Sequence, residues 1–195
     1  MNNRFSRQVE TEDAKPSILI ICEGEKTEPN YFSGFRLKNV KVKGTGYNTV
    51  SLVNFALKFK EEYDEVWCVF DQDGHINNFD SAIAKCTDNV RAAYTNEAFE
   101  LWYLLHFIDI QAGTGITRDQ YFKKLNRYLV MKRKKDGPKY CKKDPDVYEK
   151  LLPKQDTAIK RAKALMEYYG DHLTNSQKKP ITTVHYLVER LNEFL

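Results

Sequence analysis

The chain has 195 residues and a net charge of only +4, with 31 Lys and Arg against 27 Asp and Glu. That length suits one domain, or one domain with an appendage, and 42% hydrophobic residues can fill a sizeable core. No apolar run is long enough to span a membrane, and Met1-Asn2-Asn3-Arg4 lacks the apolar stretch of a signal peptide. A cytoplasmic protein without membrane contact is therefore expected. Cys22, Cys68, Cys86 and Cys141 make no CxxC pair, which points to free thiols rather than disulfides or zinc ligands.

Residues 1–14 are polar and aperiodic and read as a loosely ordered tail. Ser17 to Cys22 is a continuous apolar run, the pattern of a strand buried on both faces. Thr27 can cap a following helix with Pro29 in its first turn and Tyr31, Phe32 and Phe35 on its inner face. Residues 39–43 alternate like an edge strand, and Gly44-Thr45-Gly46 closes it. Asn48 or Thr49 opens a helix carrying Leu52, Val53, Ala56 and Leu57. A third strand spans 65–70, a helix follows with Phe79, Ala82, Ile83 and Cys86, and Val90 to Thr95 is a fourth strand. Asn96 to Phe107 is apolar nearly all round and reads as a core helix.

This β-α-β-α-β-α-β order predicts an α/β fold with a mostly parallel sheet flanked by helices over 15–116. Residues 117–195 read as an all-helical, basic C-terminal part packed on that core, with 131–145 as an exposed loop. From Arg118 to Lys143 eleven Lys or Arg stand against two Asp, a local excess of nine positive charges that either stays solvated or faces a polyanion.

Two of the apolar runs end on acids. The first leads into Glu23-Gly24-Glu25 and the third into Asp71-Gln72-Asp73-Gly74. In open α/β sheets the ligand crevice lies beyond the carboxyl ends of the strands. Carboxylates gathered there repel one another unless a cation or protons compensate. Asp71 and Asp73, two residues apart, can grip one cation, and Mg²⁺ is suited by one or two carboxylates with waters and phosphate oxygens. The same Asp-Gln-Asp-Gly also suits a polar turn, and Glu28 at a helix start also suits the macrodipole.

Glu100 opens an otherwise apolar helix, where a carboxylate is costly unless it binds metal or pairs with a cation. Lys26 and His75 are placed to meet phosphate. His106 reads as a hydrogen-bonded core residue. Thr182-Thr183 begins the last helix, one threonine as its cap, with His185 near an end that suits an anion. There is no GxxxxGK[ST] loop and no GxSxG turn, and Gly44-Thr45-Gly46 is too little for a dinucleotide site.

Four ordered blocks, residues 22–32, 69–75, 99–107 and 182–188, resemble the signature blocks of RloB-like proteins. The resemblance covers most of 17–195. It implies a Toprim-like catalytic fold in a prokaryotic defence locus, beside a restriction system or an ATPase partner. By that resemblance Glu23-Gly24 matches the strand-end Glu-Gly of Toprim folds, and Asp71-Gln72-Asp73 its Asp-x-Asp. Two departures stand out. OLD-type Toprim nucleases carry a second acid four residues after the first, where this chain has Thr27, with Glu25 and Glu28 as the nearest acids. Relatives show a Ser-Asn-Pro-Cys-like segment where this chain has Thr95-Asn96-Glu97-Ala98.

The leading expectation is thus a Mg²⁺- or Mn²⁺-dependent nuclease. Glu23, Asp71, Asp73 and Glu100 form its catalytic set, and Glu23, Asp71, Asp73 and Glu28 its metal set. Lys26, His75, Lys132, Arg133, Lys134, Lys135 and His185 are expected to meet DNA or RNA, transfer RNA included. Phosphoryl transfer of the haloacid dehalogenase kind is a weaker alternative. Such enzymes place Asp-x-Asp on the first strand with Thr or Val two residues later, where this chain has His75. An accessory subunit that binds nucleic acid or an ATPase without catalysis is the non-enzymatic alternative.

Overall fold

A computed structural model describes residues 15–72, 76–129, 131–134, 137–142, 144–170 and 172–195, with the backbone alone for 76–77, 131–134 and 137–139. The expected N-terminal tail lies outside these residues. In chain order come β1 (Ile18–Cys22), α1 (Thr27–Ser33), β2 (Val40–Gly44), α2 (Thr49–Ala56), β3 (Glu65–Asp71), α3 (Ile76–Ala84), β4 (Val90–Asn96) and α4 (Glu100–Leu105). Then follow α5 (Arg118–Leu125), β5 (Met131–Lys134), β6 (Gly137–Lys139), α6 (Val147–Leu151), α7 (Gln155–Tyr168), β7 (Ile181–Thr182) and α8 (Val184–Asn192).

The main sheet runs β2-β1-β3-β4-β7, parallel throughout except for the antiparallel β7. The expected α/β class and mostly parallel sheet are present. Side chains alternate across the pleat, so each strand feeds two cores. Ile18, Ile20, Cys22, Trp67, Val69 and Ala93 face one layer, built by α1, α4 and the helices after it. Leu19, Ile21, Val66, Cys68 and Phe70 face the other, closed by α2 and α3. A strand buried on both faces needs apolar side chains at every position, which is why β1 reads as an unbroken apolar run.

Several local expectations need correcting. Thr27 is the first residue of α1, and the cap position belongs to Lys26, without a side-chain cap bond. Asn96 completes β4, so the apolar helix shrinks to α4, whose six residues are all buried. The C-terminal part is not all-helical: β5 and β6 pair antiparallel within the stretch read as a loop. Lys and Arg dominate those strands, so no apolar alternation announces them. Thr182 belongs to β7, where its hydroxyl meets that of Thr95 at 2.9 Å. Thr183 stands at the cap of α8 without a side-chain cap bond, and its hydroxyl accepts from the Tyr94 N–H at 2.8 Å instead. Asn48 does cap α2, accepting from the Ser51 N–H at 3.1 Å. All four cysteines are free, and among the described residues no helix is long and apolar enough to cross a membrane.

Candidate active site

After β1 the chain steps to β2 on one side, and then returns to β3 on the other side of β1. The sheet's topological switch point therefore lies between β1 and β3, and a crevice opens beyond their carboxyl ends. Glu23 follows the last residue of β1 and keeps the strand direction, its N–H donating to the Val69 carbonyl at 2.8 Å. Asp71 is the last residue of β3. Its N–H donates to Glu23 Oε2 at 3.2 Å, which ties the two strand ends together. Parallel register alone brings these two acids side by side, 48 residues apart in sequence.

Two aromatic anchors bring in two further acids. Tyr31 is fully buried and makes edge contacts with Phe32, Phe99, Trp102 and Tyr148, each worth about 0.5–1.5 kcal/mol. It fixes α1, and Glu28 stands one helical turn earlier. Tyr103 packs 5.7 Å from Tyr31, and its hydroxyl donates to the Thr27 carbonyl at 3.1 Å. Glu100 stands one turn before Tyr103. The two i, i+3 spacings thus carry both carboxylates to the same place, buried to 6% and 3% exposure.

Glu23, Glu28 and Asp71 line a pocket of about 360 Å³, with Lys26, Arg118 and Lys142 also on its wall. Gly24 makes room for it: a Cβ there would overlap Glu28 Oε2. Gly44 serves the same loop from the neighbouring strand, since its own Cβ would stand 2.8 Å from the Gly24 carbonyl. The Gly44-Thr45-Gly46 turn is thus a brace. Thr45 and Gly46 donate backbone N–H bonds to Cys22 and Glu23 at 3.0 and 2.9 Å.

The electrostatics are unbalanced. Burial pushes the Glu28 carboxyl up to about 7, with the Glu100 charge adding to it and Lys142 and Arg118 opposing. Glu28 Oε2 has no hydrogen-bond partner among the described residues. Asp71 is held well above the usual carboxylate range, first by burial and then by Glu28 and Glu100, against Arg118 and the Phe99 N–H. The cations do not close on the acids. Arg118 stands 3.6 Å from Asp71 Oδ2, and Lys142 3.9 Å from Glu100 Oε1. Both exceed a charge-assisted hydrogen bond of about 2.7–2.9 Å. Arg118 is held from behind: its backbone N–H donates to Glu97 Oε2 at 2.7 Å and its guanidinium to the Glu97 carbonyl at 3.3 Å, and Glu97 is in turn paired with Lys179. Glu100 also accepts from the Tyr140 hydroxyl at 3.3 Å.

Of the expected site residues, Glu23, Asp71, Glu28 and Glu100 converge, and Lys26 is exposed on the pocket wall. Asp73, His75 and Lys135 lie outside the described residues. Lys132, Arg133 and Lys134 form β5, where the backbone alone is described. His185 is displaced from its expected role. It is fully buried, with Nδ1 against the Thr182 carbonyl at 3.2 Å, because α8 packs its first turn into the core. Burial holds it down to about 4, so it presents no charge to an anion. His106 is the core residue expected, Nδ1 lying 2.9 Å from the Trp102 carbonyl. Arg118, Tyr140 and Lys142 were legible only as members of a basic stretch. Nothing in their spacing marks them as neighbours of the acids.

Among the described residues no three Asp, Glu, His or Cys side chains stand close enough, as they are, to hold a metal ion. Glu23, Glu25, Glu28 and Asp71 are the carboxylates on the wall of this pocket. No curated protein and no solved structure matches the chain. A family model does, over residues 18–191, a span that takes in both cores, the acidic pocket and the C-terminal helices. The chain belongs to the RloB-like protein family.

Proposed function

We propose that this RloB-like chain is a divalent-metal-dependent nuclease with a Toprim-like catalytic core, hydrolysing phosphodiesters of DNA or RNA. The observation that carries the reading is the under-neutralised acid group at the switch point. Glu28 and Asp71 are both driven toward protonation, and a buried carboxylate oxygen has no partner among the described residues. Protons or a cation must supply the missing positive charge, and an oxygen-only donor set suits Mg²⁺ or Mn²⁺. Glu23, Glu28 and Asp71 would hold the ion, with Asp73 continuing the same stretch. Such an ion, when bound, acidifies water and withdraws charge from phosphoryl oxygens.

The chain's own groups do the rest. Glu23, on the end of β1, is the proton acceptor. Arg118 and Lys142, on the pocket wall and short of full pairing with the acids, would meet non-bridging phosphate oxygens. Glu100, buried behind the pocket, orients Tyr140 and Lys142 rather than touching substrate. Family resemblance extends the proposal to cytoplasmic antiviral defence beside an ATPase partner.

The test is incubation of the purified chain with Mg²⁺ or Mn²⁺ and single- and double-stranded DNA and RNA. Asp71→Asn or Glu23→Gln is expected to lower cleavage by about a thousand-fold or more, in line with loss of a metal ligand or general base. Cleavage that survives both substitutions refutes the mechanism. Nucleic-acid binding unchanged by chelator, without turnover even beside the ATPase, would make the chain an accessory subunit instead.

A further inference from the structure

We infer that the exposed face of α5, with the loop before it, is a docking surface for an unpaired nucleic-acid strand leading away from the acidic pocket. This deepens the nuclease reading by naming the form of its substrate. The helix starts at Arg118 beside Asp71, and nine residues on, about 13 Å by helical rise, the chain reaches Arg127. Lys123, Lys124 and Arg127 line a second cleft, of about 500 Å³, closed on its other side by Asp109 and Gln111.

None of these three cations has an ion pair or a side-chain hydrogen bond among the described residues. Other exposed lysines such as Lys41, Lys85 and Lys160 are likewise unpaired among the described residues, so what sets these three apart is that they share one cleft. The cleft's acid, Asp109, is occupied by the Gln111 side chain at 2.9 Å. Lys123 and Arg127, four residues apart along the helical path, repel each other. The helix C-terminus favours Lys123 and Lys124 by its dipole, and three cations on one open cleft make a surface complementary to a polyanion.

Tyr128, next to Arg127, is 42% exposed. Its ring stacks on Phe107 at 5.0 Å and 9°, so it is held flat rather than free to swing. A cationic cleft followed, one residue further along the chain, by an exposed and fixed aromatic ring offers the two elements that bind single strands, whose bases present open π-faces that a duplex hides.

Fluorescence anisotropy in chelator, with short labelled single-stranded DNA and RNA and the corresponding duplexes, tests this without any turnover. Single strands are expected to bind more tightly than duplex. The variant K123Q/K124Q/R127Q should lower the salt slope of log Kd by about 2. Tyr128→Leu should weaken single-strand binding roughly ten-fold, while Tyr128→Phe keeps it. Duplex bound as tightly as single strand, or an unchanged salt slope in the triple variant, overturns the inference. Tight strand binding that fails to give cleavage in Mn²⁺ would sink the nuclease reading and leave this one standing.

Discussion

The two ends of strand β3 each carry a carboxylate, and they treat it in opposite ways. At the amino end, Glu65 is 7% exposed and fully engaged. Arg190 reaches its Oε1 from two nitrogens at 2.8 and 2.6 Å, the Trp67 indole donates to its Oε2 at 3.1 Å, and Arg91 adds charge at 3.7 Å. At the carboxyl end, Asp71 shares its surroundings with Glu28 and Glu100, and among the described residues its nearest cation stops at 3.6 Å. The same strand and the same chemical group yield a closed structural ion pair at one end and an open, repulsive cluster at the other. Folding alone would favour the first arrangement. The second persists at the crevice of the sheet, where a ligand can complete it.

The largest contrast is expected from Arg190→Ala, which strands Glu65 without its main partner. Urea unfolding should show a loss of about 2–4 kcal/mol, with the rate of nucleic-acid cleavage unchanged. A comparable loss at Arg118→Ala would erase the distinction between the two ends.

Glu28→Gln should do the reverse. The folded state holds a proton on Glu28 up to about pH 7, while the unfolded chain releases it near 4.5. Between these values the folded state binds more protons, so metal-free stability falls as pH rises and then levels above about 7. Removing the charge should therefore stabilise the metal-free protein at pH 8 by up to roughly 3 kcal/mol, shrinking to nothing below pH 4.5. Thermal melts across that range check it, and Mn²⁺ titration should show weakened binding in the same variant.

Gly24→Ala sharpens the picture more gently. Its methyl group must displace the Glu28 carboxylate, costing about 1–2 kcal/mol by overpacking and weakening Mn²⁺ binding. The smallest effect belongs to Lys163→Ala. Its pair with Glu189 spans 2.5 Å but is 45% and 36% exposed, so a change under about 0.5 kcal/mol is expected.

The central sheet was open to reading from residue types. β1 and the 66–70 stretch of β3 are buried on both faces and apolar throughout, which separates them from helices and loops by length and by β-branched content. Glu23 and Asp71 were visible for the same reason, since an acid that ends such a run has little structural excuse. Glu28 and Glu100 were visible as acids in apolar company, but not as neighbours. Their meeting depends on Tyr31 packing against Tyr103 across 72 residues, which no local pattern encodes. β5 and β6 were missed because lysines mask the alternation, and β7 because two residues carry no periodicity at all.

By itself, then, the sequence determined the parallel α/β layering, through burial periodicity, and the presence of acids at strand ends. Only the tertiary structure decided which cations face those acids, how incompletely they pair, and that His185 turns inward. Charge–charge and aromatic contacts act between segments far apart in the chain, and their distances are fixed by packing rather than by spacing along it.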